Sequence, residues 1–248
     1  MTRGLALIAL VLAGGGCVSV PRAPERGDLI RRILASTVQL KSEREGGVHR
    51  AASGVVVATD PGSRRAWIVT VGHFVNPSKP QKVYVQLPGE ERTAPATVRS
   101  VSADDRDLDL AIIEVEDLDV DVVPVRFKDT ASLGDEVLIV AFPWGRRFTV
   151  TRGIVSEVTS LLGEELVTGP ARMVDASVSY GSSGGGVFDA HSGELVGIVE
   201  SYRTAKIAIP EMKERVLEVP VPGQTTVIPA PVILRFIVDS GLGRRLAK

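Results

Sequence analysis

From Thr37 onward the chain is a succession of short runs rich in Val, Ile, Leu and Thr, cut apart by Gly, Pro and Asp. The runs are Thr37–Leu40, Gly54–Thr59, Trp67–Val71, Lys82–Leu87, Ala96–Val101, Leu110–Val115 and Val122–Phe127 in the first half. Glu136–Phe142, Phe148–Val158, Ala171–Asp175, Gly186–Phe188, Leu195–Ser201 and Thr225–Pro229 follow in the second. Segments this short are marginal as helices and natural as strands. Many of them, with Gly/Pro turns between, predict an all-β sandwich or barrel. Two stretches break the pattern. Asp28–Leu34 reads as a helical turn, and Pro231–Gly241 places Val232, Ile233, Leu234, Phe236 and Ile237 on a helical face that closes onto the body.

At 248 residues and 44% hydrophobic, the chain can bury one large core or two small ones. Its formal net charge is −1, and no long Lys/Arg run argues for nucleic acid. No phosphate loop and no His/Cys metal spacing are present, so neither a cofactor nor a metal is expected. His49 and His191 sit in polar, loop-like surroundings where a solvated role is expected. A single cysteine leaves no intrachain disulfide, so stability rests on the core.

Chemistry concentrates at Asp175–Gly186, Asp-Ala-Ser-Val-Ser-Tyr-Gly-Ser-Ser-Gly-Gly-Gly. Glycines at 181, 184 and 185 let the chain turn tightly and leave amide N–H groups uncovered beside the Ser183 hydroxyl. Taken alone, a Gly/Ser turn explains the segment equally well. Upstream, Trp67–Val71 runs into Gly72-His73, and Asp109 opens the apolar run Leu110–Ile113. Singly, His73 reads as a hydrogen-bonded core histidine and Asp109 as a solvated strand-entry acid, with Asp104, Asp105 and Asp107 as rivals. Together they give the order His, Asp, Ser, with gaps of 36 and 74 residues. The literal Gly181-Ser-Ser183-Gly-Gly185 also satisfies G-x-S-x-G, but that elbow needs a histidine after the serine. The only later one, His191, lies eight residues on in a hairpin-like turn.

The order and the flanking motifs resemble the trypsin-like serine peptidases, and within them the bacterial HtrA/DegP-like branch. The matching segments are Ser53–Val57, Thr70–His73, Asp109–Ile113, Ala141–Gly145, Thr149–Ser156, Asp175–Gly185 and Glu194–Val199. The resemblance implies two six-stranded antiparallel β-barrels, a trypsin-like double barrel, with a C-terminal helix. The first would occupy 28–127 and the second 128–248, with the boundary near Lys128–Ala131 and the active site between them. It implies Ser183 as nucleophile, His73 as general base and Asp109 as the group orienting the imidazole. The amides of Gly181 and Ser183, with Ser182 between them, would form the oxyanion hole. Ser177 and Val178 would lie at the base of the specificity pocket, with Glu200, Ser201 and Tyr202 along its wall. With no acid at 177, cleavage of protein or peptide substrates after small or medium uncharged residues is expected.

Four departures carry consequences. Gly72 stands where a small alanine is common and Gly186 where a proline is common, so backbone freedom beside catalytic groups is expected to rise. Val18–Val48 contains no aromatic residue, so a trimer contact of the HtrA kind is not carried over. Only 65 residues follow Ser183, most of them needed by the second barrel, so no PDZ domain is expected.

At the N-terminus, Arg3 precedes the apolar run Gly4–Ala13, three glycines and Cys17. The run is too short to span a bilayer and fits the h-region of a signal peptide over 1–16. A cysteine after small residues resembles a lipoprotein signal, with Cys17 lipidated and 17–27 a tether; ordinary cleavage with Cys17 incidental is the alternative. The expectation is an exported endopeptidase held at the bacterial envelope. A trypsin-fold peptide-binding module without useful turnover is the alternative, and a purely structural envelope lipoprotein a third.

Overall fold

The computed structural model describes residues 26–47, 49–76, 80, 82–102, 108–116, 122–160, 162–164, 166–208 and 216–246. The signal-like segment 1–16, Cys17 and most of the tether lie outside the described residues. So do Asp104, Asp105 and Asp107.

After helix α1 (Arg26–Ala35), six strands build the first barrel. They are β1 (Thr37–Glu43), β2 (His49–Asp60), β3 (Arg65–Thr70), β4 (Lys82–Gln86), β5 (Thr93–Val101) and β6 (Ala111–Val115). All its pairings are antiparallel, in the order β1-β2-β3-β6-β5-β4, and β4 closes the ring on β1. A two-stranded pair, β7 (Ala131–Ser132) with β10 (Thr168–Gly169), flanks the second barrel. That barrel comprises β8 (Glu136–Ala141), β9 (Thr149–Val158), β11 (Ala171–Asp175), β12 (Gly186–Asp189), β13 (Leu195–Ala208) and β14 (Val216–Pro229). Its order is β11-β14-β13-β12-β8-β9, closed by β9 against β11. Helix α2 (Ala230–Asp239) follows.

Strand periodicity explains how the barrels lock together. On β8, Val137, Ile139 and Ala141 enter the core of the second barrel, while Leu138 and Val140 enter a core continuous with the first. On β12, Val187 and Phe188 divide in the same way. Side chains on successive strand residues point to opposite faces, so a strand apolar at every position can serve two cores at once. Truncating the fully buried Phe188 to alanine is therefore expected to cost about 3–5 kcal/mol. Helix α2 buries Ile233, Phe236 and Ile237 in this shared core, and Ser240 just beyond it hydrogen-bonds Ser100 of β5 at 3.1 Å.

One expected strand is absent. Val122–Phe127 is a linker, not a strand: Val123 and Val125 donate single hydrogen bonds to Ala35 and Val56, and Phe127 makes one parallel bridge to Leu195. Val122, Val125 and Phe127 pack against the shared core rather than within a ladder, while Val123 is exposed, so the β-like composition is largely satisfied without strand pairing.

Candidate active site

His73 sits on the 3₁₀ turn Gly72–Phe74 that ends β3, pinned by the buried Phe74. Its backbone N–H donates to Asp109 Oδ1 at 2.6 Å, and its Nδ1 lies 2.5 Å from Asp109 Oδ2. One carboxylate thus fixes both the turn and the ring. An ionised carboxylate only accepts, so Nδ1 carries the proton and Nε2 is left as the basic nitrogen. The His73 carbonyl accepts from Arg50 Nη1 at 2.9 Å, which holds the turn from its other side.

The expected looseness at Gly72 and Gly186 is not found. Gly72 is buried, and a methyl group there would come within 3.0 Å of Asp109 Oδ1 and 3.2 Å of the Leu110 amide. The missing side chain lets the carboxylate approach the histidine turn closely. Gly186 is paired on both sides, to Val140 and Ile198, and an added Cβ would fall 2.3 Å from the Phe188 ring. Close packing, rather than mobility, is what these two glycines serve.

Ser183 lies in the loop between β11 and β12, and its carbonyl accepts from the Ser53 amide at 2.8 Å. Gly184, at φ +81°, donates to the Val199 carbonyl at 2.8 Å, and Val199 donates back to Gly185 at 2.8 Å. A Cβ on Gly184 would lie only 2.1 Å from the Ser53 carbonyl oxygen, so the serine turn presses directly on β2. That same carbonyl accepts from Thr70 Oγ1 at 2.7 Å, three residues before His73. The serine loop and the histidine strand therefore hang from one residue, Ser53. It is fully buried, and its own hydroxyl donates to the Gly181 carbonyl at 2.9 Å while accepting from the Phe142 amide at 2.8 Å.

Peptide orientation follows from these bonds. In a trans peptide the C=O and the following N–H point in opposite directions. The Tyr180 carbonyl accepts from the Trp144 amide at 2.7 Å, which turns the Gly181 N–H away from Trp144. The Ser182 carbonyl accepts from Gly185 at 2.9 Å, which turns the Ser183 N–H away from Gly185 in the same manner. Ser182 itself is buried, its amide donating to the Ser179 carbonyl at 3.0 Å. Trp144 has φ +57°, and its ring stacks on Tyr180 at 5.7 Å. Ser53 and Trp144 stand within two of the family-like motifs, Ser53–Val57 and Ala141–Gly145, which assign neither a role. A serine that bonds in three directions leaves no trace in periodicity or spacing.

Of the expected pocket residues, Ser177 is exposed and Val178 packs partly against the core of the second barrel. The Ala176 carbonyl before them accepts from Thr225 Oγ1 at 2.6 Å, tying this segment to β14. Glu200 is a bulged residue of β13, directly after the Val199 that bonds the serine loop. Ser201 faces Thr226, with the hydroxyls 2.8 Å apart, and Tyr202 is paired with Thr225. Both segments thus border the serine loop. His49 opens β2 on the surface, and His191 occupies the β12–β13 turn, where its amide donates to Asp189.

A family model for the trypsin-like peptidase domain matches residues 52–198, which include His73, Asp109 and Ser183. The chain belongs to the trypsin-like peptidase family. Within it, the similar curated proteins are of the DegP-like kind. A probable periplasmic serine endoprotease from Hahella chejuensis is 31% identical over 179 residues, 72% of this chain and 35% of that protein. One from Brucella suis is 34% identical over 183 residues, 72% of this chain and 32% of that protein. The chain thus spans about a third of the length of the curated relatives it matches. Among solved structures, a serine endoprotease from Yersinia pestis shares the fold with a TM-score of 0.61 at 24% identity, covering 88% of this chain and 66% of that one. The HtrA-type protease AlgW, determined with a tripeptide, has a TM-score of 0.63 at 20% identity, covering 89% and 64%.

Proposed function

We propose that this trypsin-like chain is a serine endopeptidase acting on protein or peptide substrates. The observation that carries the reading is the double grip of Asp109 on the backbone and ring of His73. Ser183 Oγ attacks the scissile carbonyl while His73 Nε2 takes its proton. Asp109 holds the tautomer and stabilises the imidazolium. The developing oxyanion is met by the N–H groups of Gly181 and Ser183, where one donor is worth about 2.7–4 kcal/mol. Collapse of the tetrahedral adduct passes the proton from His73 to the leaving amine and leaves an acyl-Ser183. Water, activated by the same imidazole, then releases the acid.

Ser177, with no acid in that position, supports cleavage after small or medium uncharged residues, with Val178, Glu200, Ser201 and Tyr202 along the pocket. The naming of the relatives as periplasmic supports export to the envelope, and the placement of Cys17 after an apolar run and three glycines supports it as the lipidated residue. Among the described residues no helix is long and apolar enough to cross a membrane. Palmitate incorporation that survives Cys17→Ala would remove that assignment.

The deciding experiment is fluorophosphonate labelling beside Ser183→Ala, with turnover of an unfolded protein measured in parallel. Labelling and turnover that both vanish in the variant support the endopeptidase. Binding of peptides by a folded chain that neither labels nor turns over substrate identifies a peptide-binding module instead.

A further inference from the structure

The turn that carries His73 is only three residues long, Gly72–Phe74, and its first carbonyl is already used. Gly72 accepts from the amides of Val75 at 2.9 Å and Asn76 at 3.0 Å. The carbonyls that follow have no donor within so short a helical turn and must be met from elsewhere. Two arginines of the β1–β2 hairpin meet them. Arg50, on β2 opposite Ser42, donates from Nη1 to the His73 carbonyl at 2.9 Å and to the Asn76 carbonyl at 3.0 Å. Arg44, directly after β1, donates from Nη2 to the Phe74 carbonyl at 2.6 Å.

Bringing two guanidinium groups to one turn is unfavourable in itself. Arg44 is buried, and burial first, then the charge of Arg50, hold its pKa below the usual arginine value. At a surface, water could satisfy a turn carbonyl without that penalty. Charged donors add what water does not. Their bonds are shorter and roughly twice as strong as neutral ones, so they hold a carbonyl in one direction.

The consequence falls on one residue. The N–H of His73 belongs to the peptide before it, and Asp109 Oδ1 holds it at 2.6 Å. The C=O of His73 belongs to the peptide after it, and Arg50 holds that one. A carboxylate on one side and a guanidinium on the other thus fix both torsions at the His73 Cα, and those torsions aim its side chain. Asp109 adds the contact at Nδ1. We propose that Arg50 is a positioning residue for His73, setting through the backbone the direction in which Nε2 points. The proposal rests on the reading of His73 as general base given above. Arg50 acts through a carbonyl rather than on the reacting atoms, yet a misplacement of about 1 Å at a reacting group costs on the order of 10²-fold in rate.

The test compares Arg50→Met, which keeps the stem and removes the charged head, with Arg50→Lys, which keeps a charge but ends one bond short of Nη1. In Arg50→Met, peptide hydrolysis by the full chain is expected to lose about 30- to 100-fold in kcat with KM within about twofold. The rate of fluorophosphonate labelling should fall with it, and Arg50→Lys should recover part of the loss. In an Asp109→Asn background, where the ring is already misdirected, Arg50→Met should cost less than about threefold. Nitrogen NMR of the His73 ring should show the Nδ1–H tautomer alone in the native chain and a mixture in the methionine variant. A folded Arg50→Met with native kcat overturns the proposal. So does a loss of equal size in both backgrounds, which a general weakening of the fold would give. If Arg50→Met does not fold, Arg50→Lys decides: an intermediate kcat supports the proposal and a native one overturns it. A native chain that neither labels nor turns over substrate removes the hydrolytic reading, and the ring tautomer then decides for or against Arg50 by itself.

Discussion

The amide of Ser53, on β2 of the first barrel, donates to the carbonyl of Ser183 in the second at 2.8 Å. Through its hydroxyl the same residue reaches the Gly181 carbonyl and the Phe142 amide, so the donors proposed to meet an oxyanion are set from the opposite barrel. Ser53→Ala leaves both partners buried and unpaired. A loss of about 2–4 kcal/mol is expected in urea unfolding, on a scale of roughly 1–3 per orphaned group. Peptide hydrolysis should lose kcat with little change in KM, because the affected amide acts in the transition state.

Asp109→Asn tests the grip on His73. An amide can still bond the turn, but it can present N–H to Nδ1 and favour the wrong tautomer. The expected fall in kcat is on the order of 10⁴, with folding intact by circular dichroism, as when the same carboxylate is neutralised in other triads. A loss below about tenfold would show that Asp109 does not serve the imidazole.

Gly184→Ala should abolish activity and stability together. The φ of +81° already disfavours a side chain, and the new Cβ would meet backbone, the Ser53 carbonyl, at 2.1 Å. Backbone cannot rotate aside, so a cost of at least about 3 kcal/mol is expected in denaturant titration. Gly134, also at positive φ but with open space around it, should accept alanine for about 1 kcal/mol, which separates strain from collision.

Acid sensitivity should trace in part to Asp189. Burial pushes its carboxyl up, but the hydrogen bond from Lys128 at 2.5 Å and the amides of Ser192 and His191 outweigh it and bring the pKa down to about 2. A depressed carboxyl stabilises the fold above its unfolded value near 3.8, and that contribution is lost as pH falls towards 2. Lys128, raised above 10.5 chiefly by the same bond, contributes below that pH and fades above it. Allowing for solvent screening, about 1–2 kcal/mol should disappear between pH 4 and 2. Asp189→Asn should flatten this limb in pH-dependent urea unfolding.

Much of the molecule was legible because its signals are local. Runs such as Ala111–Val115 are buried at every position and could be little else than central strands. His73 and Asp109 stand at motif positions that the fold brings into contact, and Ser183 at one that the fold ties to Ser53 of β2. What escaped was of another kind. Val122–Phe127 has strand composition yet earns its burial between barrels, a fact of tertiary packing alone. The extension of β13 and β14 beyond Tyr202 and Thr225 escaped for the opposite reason: Arg203–Ile207 is exposed on both faces, so no alternation marks it. Ser53 and Trp144 act through main-chain geometry, which composition does not record.

The alternation along β8 and β12 also governs how this molecule can fail. Leu138, Val140 and Phe188 belong to the core that the first barrel completes, so the second half has a small inside of its own but shares a larger one with its neighbour. Heat or a single backbone cut should dismantle both halves in one transition, with no half-molecule surviving to do partial work. A fragment that keeps Ser183 but loses β2 would keep a hydroxyl and forfeit the grip of Ser53 on the loop that carries it.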